Sequence, residues 1–407
     1  MAKRFGTTPS VADRGALATR SVNLRPAWSV VGWVYLVAHV FFAETAGLAY
    51  IYLPHAWVES PPGVLPVPSN LIYRALCGLW SHWDGQWYLT IAQHGYRTPT
   101  ATAFFPLYPL AIHFLGASTA LGGILVSWAA TAVACWMLYK LTALDFGERV
   151  AWFTVMAFSF FPTAFYTQAV YSESLFLALA ISAMYCLRTR RYWPAGILGG
   201  LAVLVSMYGI LLAVPLAWVI FRQHGLRLRK FWPVAMIPLG ILLYMGYLTP
   251  LFHYPLVFEQ AQSNWGRHFA FFWQTLWQGV VTAYQSASIA LSPAALFHGG
   301  IPQPVAMNFY NFWFAVYGIV VLIVSLRWMP TYLWLYGGLA LLVPLTYPAQ
   351  GVPLMSMPRL LLEAFPIFVA TGILLDRYPR ARLAYFTASL ALGTLFVSLF
   401  ATSHWVA

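Results

Sequence analysis

The stretch SHWDGQWYLTIAQHGY, residues 81–96, sets one carboxylate, Asp84, among aromatic side chains in a chain with only 10 Asp and Glu. At helical spacing Trp83, Trp87, Tyr88 and Ile91 share a face, and Asp84 falls in the first turn. A carboxylate so placed faces the junction of loop and membrane and can act as a general base, and Trp83, Trp87 and Tyr88 present aromatic faces beside it. They serve equally as anchors at a membrane interface. Asp84 has a structural alternative too, a capping box with Ser81. Glu173 follows Ser172, which reads as an N-cap, and Glu363 lies four residues after Arg359, so these two can pair along a helix face. Arg359, Arg97, Arg267 with His268, and His94 complete the set of groups suited to an anion or a sugar.

Other chemistries find little support. Histidines 82, 94, 253, 268 and 298 have no ligand spacing, so no metal is assigned. The 3 cysteines are scattered, and there is no Walker loop, dinucleotide fingerprint or HExxH.

These groups sit in a chain that is 61% hydrophobic, 18% aromatic and 8% charged. A soluble domain has about a quarter of its residues charged, and this chain's apolar runs approach the ~20 residues that cross a bilayer. The sequence therefore describes an all-α polytopic membrane protein. Hydropathy places a first span at WSVVGWVYLVAHVFFAETAGLAYIYL and others near 118–140, 150–170, 172–187, 193–206, 208–221, 231–250, 308–326, 330–346, 359–375 and 384–401, about 11 in all. Residues 193–221 are either one tilted span or two, the split placing Gly209 at a bend. Residues 1–26 read as a basic, disordered cytoplasmic tail and 27–407 as a single membrane-embedded domain. Segments 51–117 and 251–307 form long outer loops with interfacial helices.

The net charge of +12 does not indicate nucleic acid, because the basic residues cluster between apolar runs and set topology. With the N-terminus inside, all Lys and Arg but Arg74, Arg97, Arg267 and Arg359 fall on the cytoplasmic side. Those four arginines remain on the side that disfavours them. The acids there are Glu59, Asp84, Glu173 and Glu259, with Glu44 and Glu363 near the outer ends of spans.

WDGQWYLTIAQHGY followed by AFFPLYPL resembles the first outer loop of the PIG-V-like mannosyltransferases, the GPI mannosyltransferase II family and its bacterial relatives, among the GT-C membrane glycosyltransferases. Trp83, Asp84, Leu89, Ile91, Ala92, His94, Gly95, Tyr96, Ala103 through Pro106 and Pro109 carry the pattern. FFPTAFYTQAVYSESLFLALA (160–180), RRYWPAGILGGLA (190–202) and MPRLLLEAFPIF (357–368) are similar to the same family. One position departs: LVSMYGILL has Ser206 where relatives carry an arginine.

The resemblance implies a GT-C-type bundle and an enzyme that moves a mannosyl or other hexosyl residue from a polyprenyl-phosphate donor to a hydroxyl of a lipid-linked or surface glycan. Transfer would be inverting, extracytoplasmic and free of nucleotide or cofactor, with membrane lipid as a further partner. It casts Asp84 as general base and Arg359, oriented by Glu363, as first candidate for the donor phosphate. Arg97, Arg267 and His268 stand behind it. Localisation is a prokaryotic plasma membrane, or the ER membrane in a eukaryote. Two alternatives are a lipid-linked sugar transporter or flippase, disfavoured because Glu44 and Glu363 lie near outer ends rather than mid-membrane, and a non-catalytic membrane subunit, suggested by Ser206.

Overall fold

The computed structural model describes residues 24–56, 73, 77–115, 120–292, 296–297 and 303–406. Most of the tail 1–26, Glu59, Arg74 and His298 lie outside these residues. Helix α1 (Leu24–Tyr52) is followed by two short helices of the first long loop, α2 (Asp84–His94) and α3 (Leu107–Phe114). Then come α4 (Ala120–Phe146), α5 (Glu148–Ser159), α6 (Glu173–Arg188), α7 (Tyr192–Val203), α8 (Ala213–His224) and α9 (Trp232–Phe252). The second long loop contains α10 (Val257–Ala261), α11 (Phe272–Ala290) and α12 (Gln303–Ala306). The chain finishes with α13 (Asn308–Ser325), α14 (Thr331–Thr346), α15 (Met357–Glu363), α16 (Pro366–Arg377) and α17 (Pro379–Ala401).

Among the described residues six helices are long and apolar enough to cross a membrane: α1, α4, α8 with the 3-10 turn before it, α9, α13 and α17. The pair α15 and α16, bent by 89°, makes a seventh if it is one span. This is a multi-pass membrane protein. Several segments expected to span are shorter or interrupted, for reasons hydropathy does not register. The run 150–170 stops being α-helical after Ser159, three residues before Pro162, and continues as a 3-10 turn at Ala164–Thr167. A residue preceding proline is driven from the helical region. Pro366 likewise opens α16 at its first turn, where its missing N–H costs nothing.

Residues 193–221 form two helices, broken at 204–206, where Ser206 is extended and starts the 3-10 turn Met207–Leu212. Gly209 is not the hinge. It lets that turn lie against α7, since a Cβ there would stand 2.4 Å from the Val203 nitrogen.

The core pairs are α4 with α6, α7 with α9, and α5 with α16. The α7–α9 seam explains the glycines of GILGG. A Cβ on Gly196 would lie 2.0 Å from the Pro233 carbonyl oxygen, one on Gly200 2.5 Å from that of Met236, and one on Gly240 2.3 Å from that of Gly200. Small residues let helix backbones touch where lipid offers no hydrophobic drive to associate. Gly196→Val is therefore expected to force the helices apart and destabilise the protein by about 3 kcal/mol or somewhat more. Thermal unfolding of the detergent-solubilised protein measures this.

Helix α6 links two polar ends. Its first residue, Glu173, belongs to the site described below. At its last, Arg188 Nε lies 2.5 Å from Asp145 Oδ1, and Tyr332 donates to Asp145 Oδ2 at 2.5 Å. Sixteen residues at 1.5 Å each separate these ends by about 24 Å.

Candidate active site

Asp84 opens α2, and the preceding Trp83 adopts φ 57° and ψ −116°. This left-handed value is uncommon for a bulky residue. It turns the chain so that no capping box forms. The Ser81 hydroxyl donates to the Gly78 carbonyl at 2.9 Å instead, and the Asp84 carboxylate accepts from Arg359 Nη1 at 2.6 Å. At the start of α6, Ser172 makes no cap either; its hydroxyl accepts from Tyr88 at 2.7 Å. Glu173 Oε1 lies 3.2 Å from Arg359 Nε, and Glu173 Oε2 is buried without a hydrogen-bond partner.

Three residues far apart in sequence thus meet as one guanidinium between two carboxylates. The Arg359 guanidinium also lies 5.7 Å from the Tyr166 ring centroid and 5.5 Å from that of Tyr171. Ring faces attract a cation at this range. Thr163 ties the start of α15 to this wall by donating to the Pro358 carbonyl at 2.7 Å, and Tyr171 donates to the His82 carbonyl at 3.0 Å. Val170 fixes the spacing: its N–H donates to the Trp80 carbonyl at 2.9 Å, and it is pressed between Gly85 and Gly123. A Cβ on Gly85 would be 3.2 Å from the Val170 oxygen, and one on Gly123 2.6 Å from its Cγ1.

The expected Arg359–Glu363 pair is not formed. Helix α15 ends at Glu363, and Arg359 is drawn to Asp84 and Glu173. Glu363 is 5% exposed and accepts from the Ser206 hydroxyl at 3.0 Å. The Tyr336 hydroxyl holds the Glu363 backbone carbonyl at 3.0 Å. The position noted as departing from relatives, Ser206, is therefore the partner of Glu363.

Arg267 reaches the same region from the second long loop. An antiparallel bridge with Ala349 holds its backbone, His268 N–H donates to Pro348 at 3.1 Å, and Arg267 Nη1 donates to the Tyr347 carbonyl at 3.2 Å. Burial pushes the Arg267 pKa down from the usual arginine value. The Tyr208 hydroxyl is buried with no hydrogen-bond partner.

The remaining candidates are not gathered. His94 and Arg97 are exposed at the far end of α2, and His268 is exposed. Trp87 and Tyr88 are buried in protein, Trp87 stacked on Phe104 at 5.6 Å and Tyr88 edge-on to Phe104 and Tyr108. Neither ring is open to a sugar or a lipid surface. Trp83 stands edge-on to Trp405 at 5.1 Å, its indole Nε1 buried and without a partner. Tyr166, Tyr171, Tyr208 and Trp405 were not foreseen. Two of them lie in the quoted segment 160–180, but nothing in its spacing marks them as the bed of an arginine 188 or more residues away. Among the described residues no group of three or more His, Cys, Asp or Glu is placed to hold a metal ion.

Residues 49–230, which carry both Asp84 and Glu173, match the family model described as Mannosyltransferase (PIG-V). Over this segment, less than half of its length, the chain is similar to the PIG-V mannosyltransferases. It is 34% identical over 172 residues to the GPI alpha-1,6-mannosyltransferase 2 of Rattus norvegicus, covering 38% of this chain and 35% of that protein. It is 32% identical over 146 residues to the GPI mannosyltransferase 2 of Schizosaccharomyces pombe, covering 34% and 32%, and 29% identical over 224 residues to that of Drosophila pseudoobscura pseudoobscura, covering 50% and 49%. The matches span between about a third and a half of those relatives. Among solved structures, an Archaeoglobus fulgidus oligosaccharyltransferase is similar with a TM-score of 0.43 and 16% identity, over 91% of this chain and 53% of that one. Arg359 and Glu363 lie beyond the segment that the family model matches.

Proposed function

We propose that this chain is a GT-C-type membrane glycosyltransferase. It transfers a mannosyl or other hexosyl residue from a polyprenyl-phosphate donor to a hydroxyl of a lipid-linked or surface glycan acceptor. The observation that carries the reading is the Asp84–Arg359–Glu173 cluster, inside which Asp84 is the more accessible carboxylate, with a side chain 19% exposed against 6% for Glu173. The relatives' names, GPI mannosyltransferases, support the sugar and the kind of acceptor.

Inversion requires a base on the face opposite the leaving group, as in inverting sugar hydrolysis. Asp84 takes the acceptor hydroxyl's proton as the acceptor oxygen bonds to the anomeric carbon. The bond from that carbon to the phosphate oxygen breaks, releasing polyprenyl phosphate. Arg359 holds Asp84 in position for this step, and Glu173 fixes the other edge of the guanidinium. The charge bias along the chain supports a cytoplasmic N-terminus and an extracytoplasmic site.

The test is to incubate the purified full chain with polyprenyl-phosphate mannose and a panel of glycolipid acceptors, following polyprenyl phosphate release. Acceptor-dependent release of polyprenyl phosphate is expected. Movement of intact donor across vesicles without release would instead identify a transporter.

A further inference from the structure

We propose that residues 402–406, which follow α17, clamp the turn that presents Asp84, making Trp405 and its anchor His404 positioning residues for the base of the transfer reading above. The turn needs a clamp. Immediately before Asp84, Trp83 sits at φ 57° and ψ −116°, a conformation that is unfavourable for a bulky residue and persists only where its surroundings over-determine it. The Trp83 indole N–H is buried without an acceptor, so it is packing that holds this side chain. The ring set against it is Trp405, edge-on with the centroids 5.1 Å apart.

The segment that carries Trp405 is itself fixed on three sides. Ser403 takes φ 63°, and the His404 N–H reaches back to the Leu399 carbonyl at 2.8 Å. A left-handed residue with this bond ends a helix and turns the chain away from its axis. The His404 ring is buried, and both its nitrogens have partners: Nε2 lies 3.2 Å from the Phe297 carbonyl of the second long loop, and Nδ1 lies 2.8 Å from the Thr402 hydroxyl. The Thr402 carbonyl accepts from the Ala56 N–H, just beyond α1, at 2.9 Å. The residue before Trp83 leans on the same body, with the His82 ring edge-on to Phe400 of α17 at 6.0 Å and His82 Nε2 3.5 Å from the Ser403 hydroxyl. Both residues that lead into Asp84 therefore rest on α17 and its extension. If the Trp83 backbone relaxed, the first turn of α2 would rotate and carry the Asp84 carboxylate out of line, and a shift of about 1 Å at a reacting group costs about a hundredfold in rate.

The experiment uses the detergent-solubilised full chain with polyprenyl-phosphate mannose and an acceptor that supports release. Trp405→Ala is expected to lower kcat by roughly ten- to a hundredfold with donor KM nearly unchanged. Trp405→Phe keeps a ring edge toward Trp83 and should recover most of the rate. Trp405→Leu fills much of the volume without a ring, and takes the place of the alanine variant should that one fail to fold. Adding Trp405→Ala to Asp84→Asn should cost little further rate, because the group being positioned is already gone, whereas a merely structural contact would multiply the two losses. Hydrogen exchange tests the clamp without any reaction. The Gly85 and Gln86 amides, which donate to the His82 and Trp83 carbonyls at 3.1 Å each, should exchange faster in Trp405→Ala, while α7 keeps its wild-type rates. Wild-type kcat in Trp405→Ala, multiplied losses in the double variant, or unchanged exchange at residues 85 and 86 overturns the proposal. If the wild type transfers no sugar, the transfer reading fails, and exchange at these amides alone decides whether the clamp exists. If the wild type transfers sugar and the Trp405 variants match it, the clamp fails and the transfer reading stands.

Discussion

Asp84→Asn is expected to reduce mannosyl transfer by about 10²–10⁴-fold, the usual contribution of a positioned general base, while leaving the fold in place. Asn is close in shape to Asp and can still accept the hydrogen bond from Arg359 Nη1, now 2.6 Å from Asp84 Oδ2. What it loses is the capacity to take a proton. The contact to Arg359 does not disqualify Asp84 as a base, because its carboxylate has a second oxygen and the side chain is partly open, whereas Glu173 is nearly closed off. The comparison to make is single-turnover transfer by Asp84→Asn and by Glu173→Gln. A loss confined to Glu173→Gln, with Asp84→Asn near wild type, would move the base to α6.

Arg359→Met should have the largest effect on stability, about 3–5 kcal/mol, as expected when one member of a buried ion pair is removed and its partners stay charged. The Arg359 side chain is 16% exposed, and its removal leaves Asp84 and Glu173 facing each other without a cation. It also empties the space over the Tyr166 and Tyr171 rings. Adding Glu173→Gln to Arg359→Met removes one stranded charge and should recover part of the loss, although Glu173→Gln alone destabilises. Thermal unfolding of the two single variants and the double gives the coupling energy. Additive effects would mean that the carboxylates do not depend on the arginine.

Most helices are legible in the sequence, because apolar runs of sufficient length leave little else for a backbone to do. The breaks after Ser159 and before Pro366 are not legible in hydropathy, which averages over the residues that end a helix. Of the expected face Trp83, Trp87, Tyr88 and Ile91, the last three lie buried on α2, whereas Trp83 precedes the helix at φ 57° and is not part of it, and the neighbour of the face differs too. That face meets Phe104 and Tyr108 rather than a membrane surface, a distinction that periodicity does not contain. Asp84 and Arg359 were each singled out, yet not as partners. The rule for i, i+4 pairs offered Glu363 to Arg359, and it assumes that both side chains lack better alternatives. Glu173, by contrast, looked like the second residue of a capped helix. Its arrival beside Arg359 depends on how Val170 is wedged, and no local pattern encodes that.

The wedge at Val170 also constrains how the protein can vary. Residues 85, 123 and 170 occupy one volume, supplied by three different parts of the chain, and the glycines leave almost no spare room around the valine. A methyl group gained at 123 must be matched by one lost at 170, or α2 and α6 shift and carry Asp84 and Glu173 with them. Changes at 123 and 170 are therefore tolerable only in compensating combinations, so the substitution histories of these two positions should be linked, while a side chain at 85 would press on the Val170 backbone oxygen, which no change of residue 170 removes.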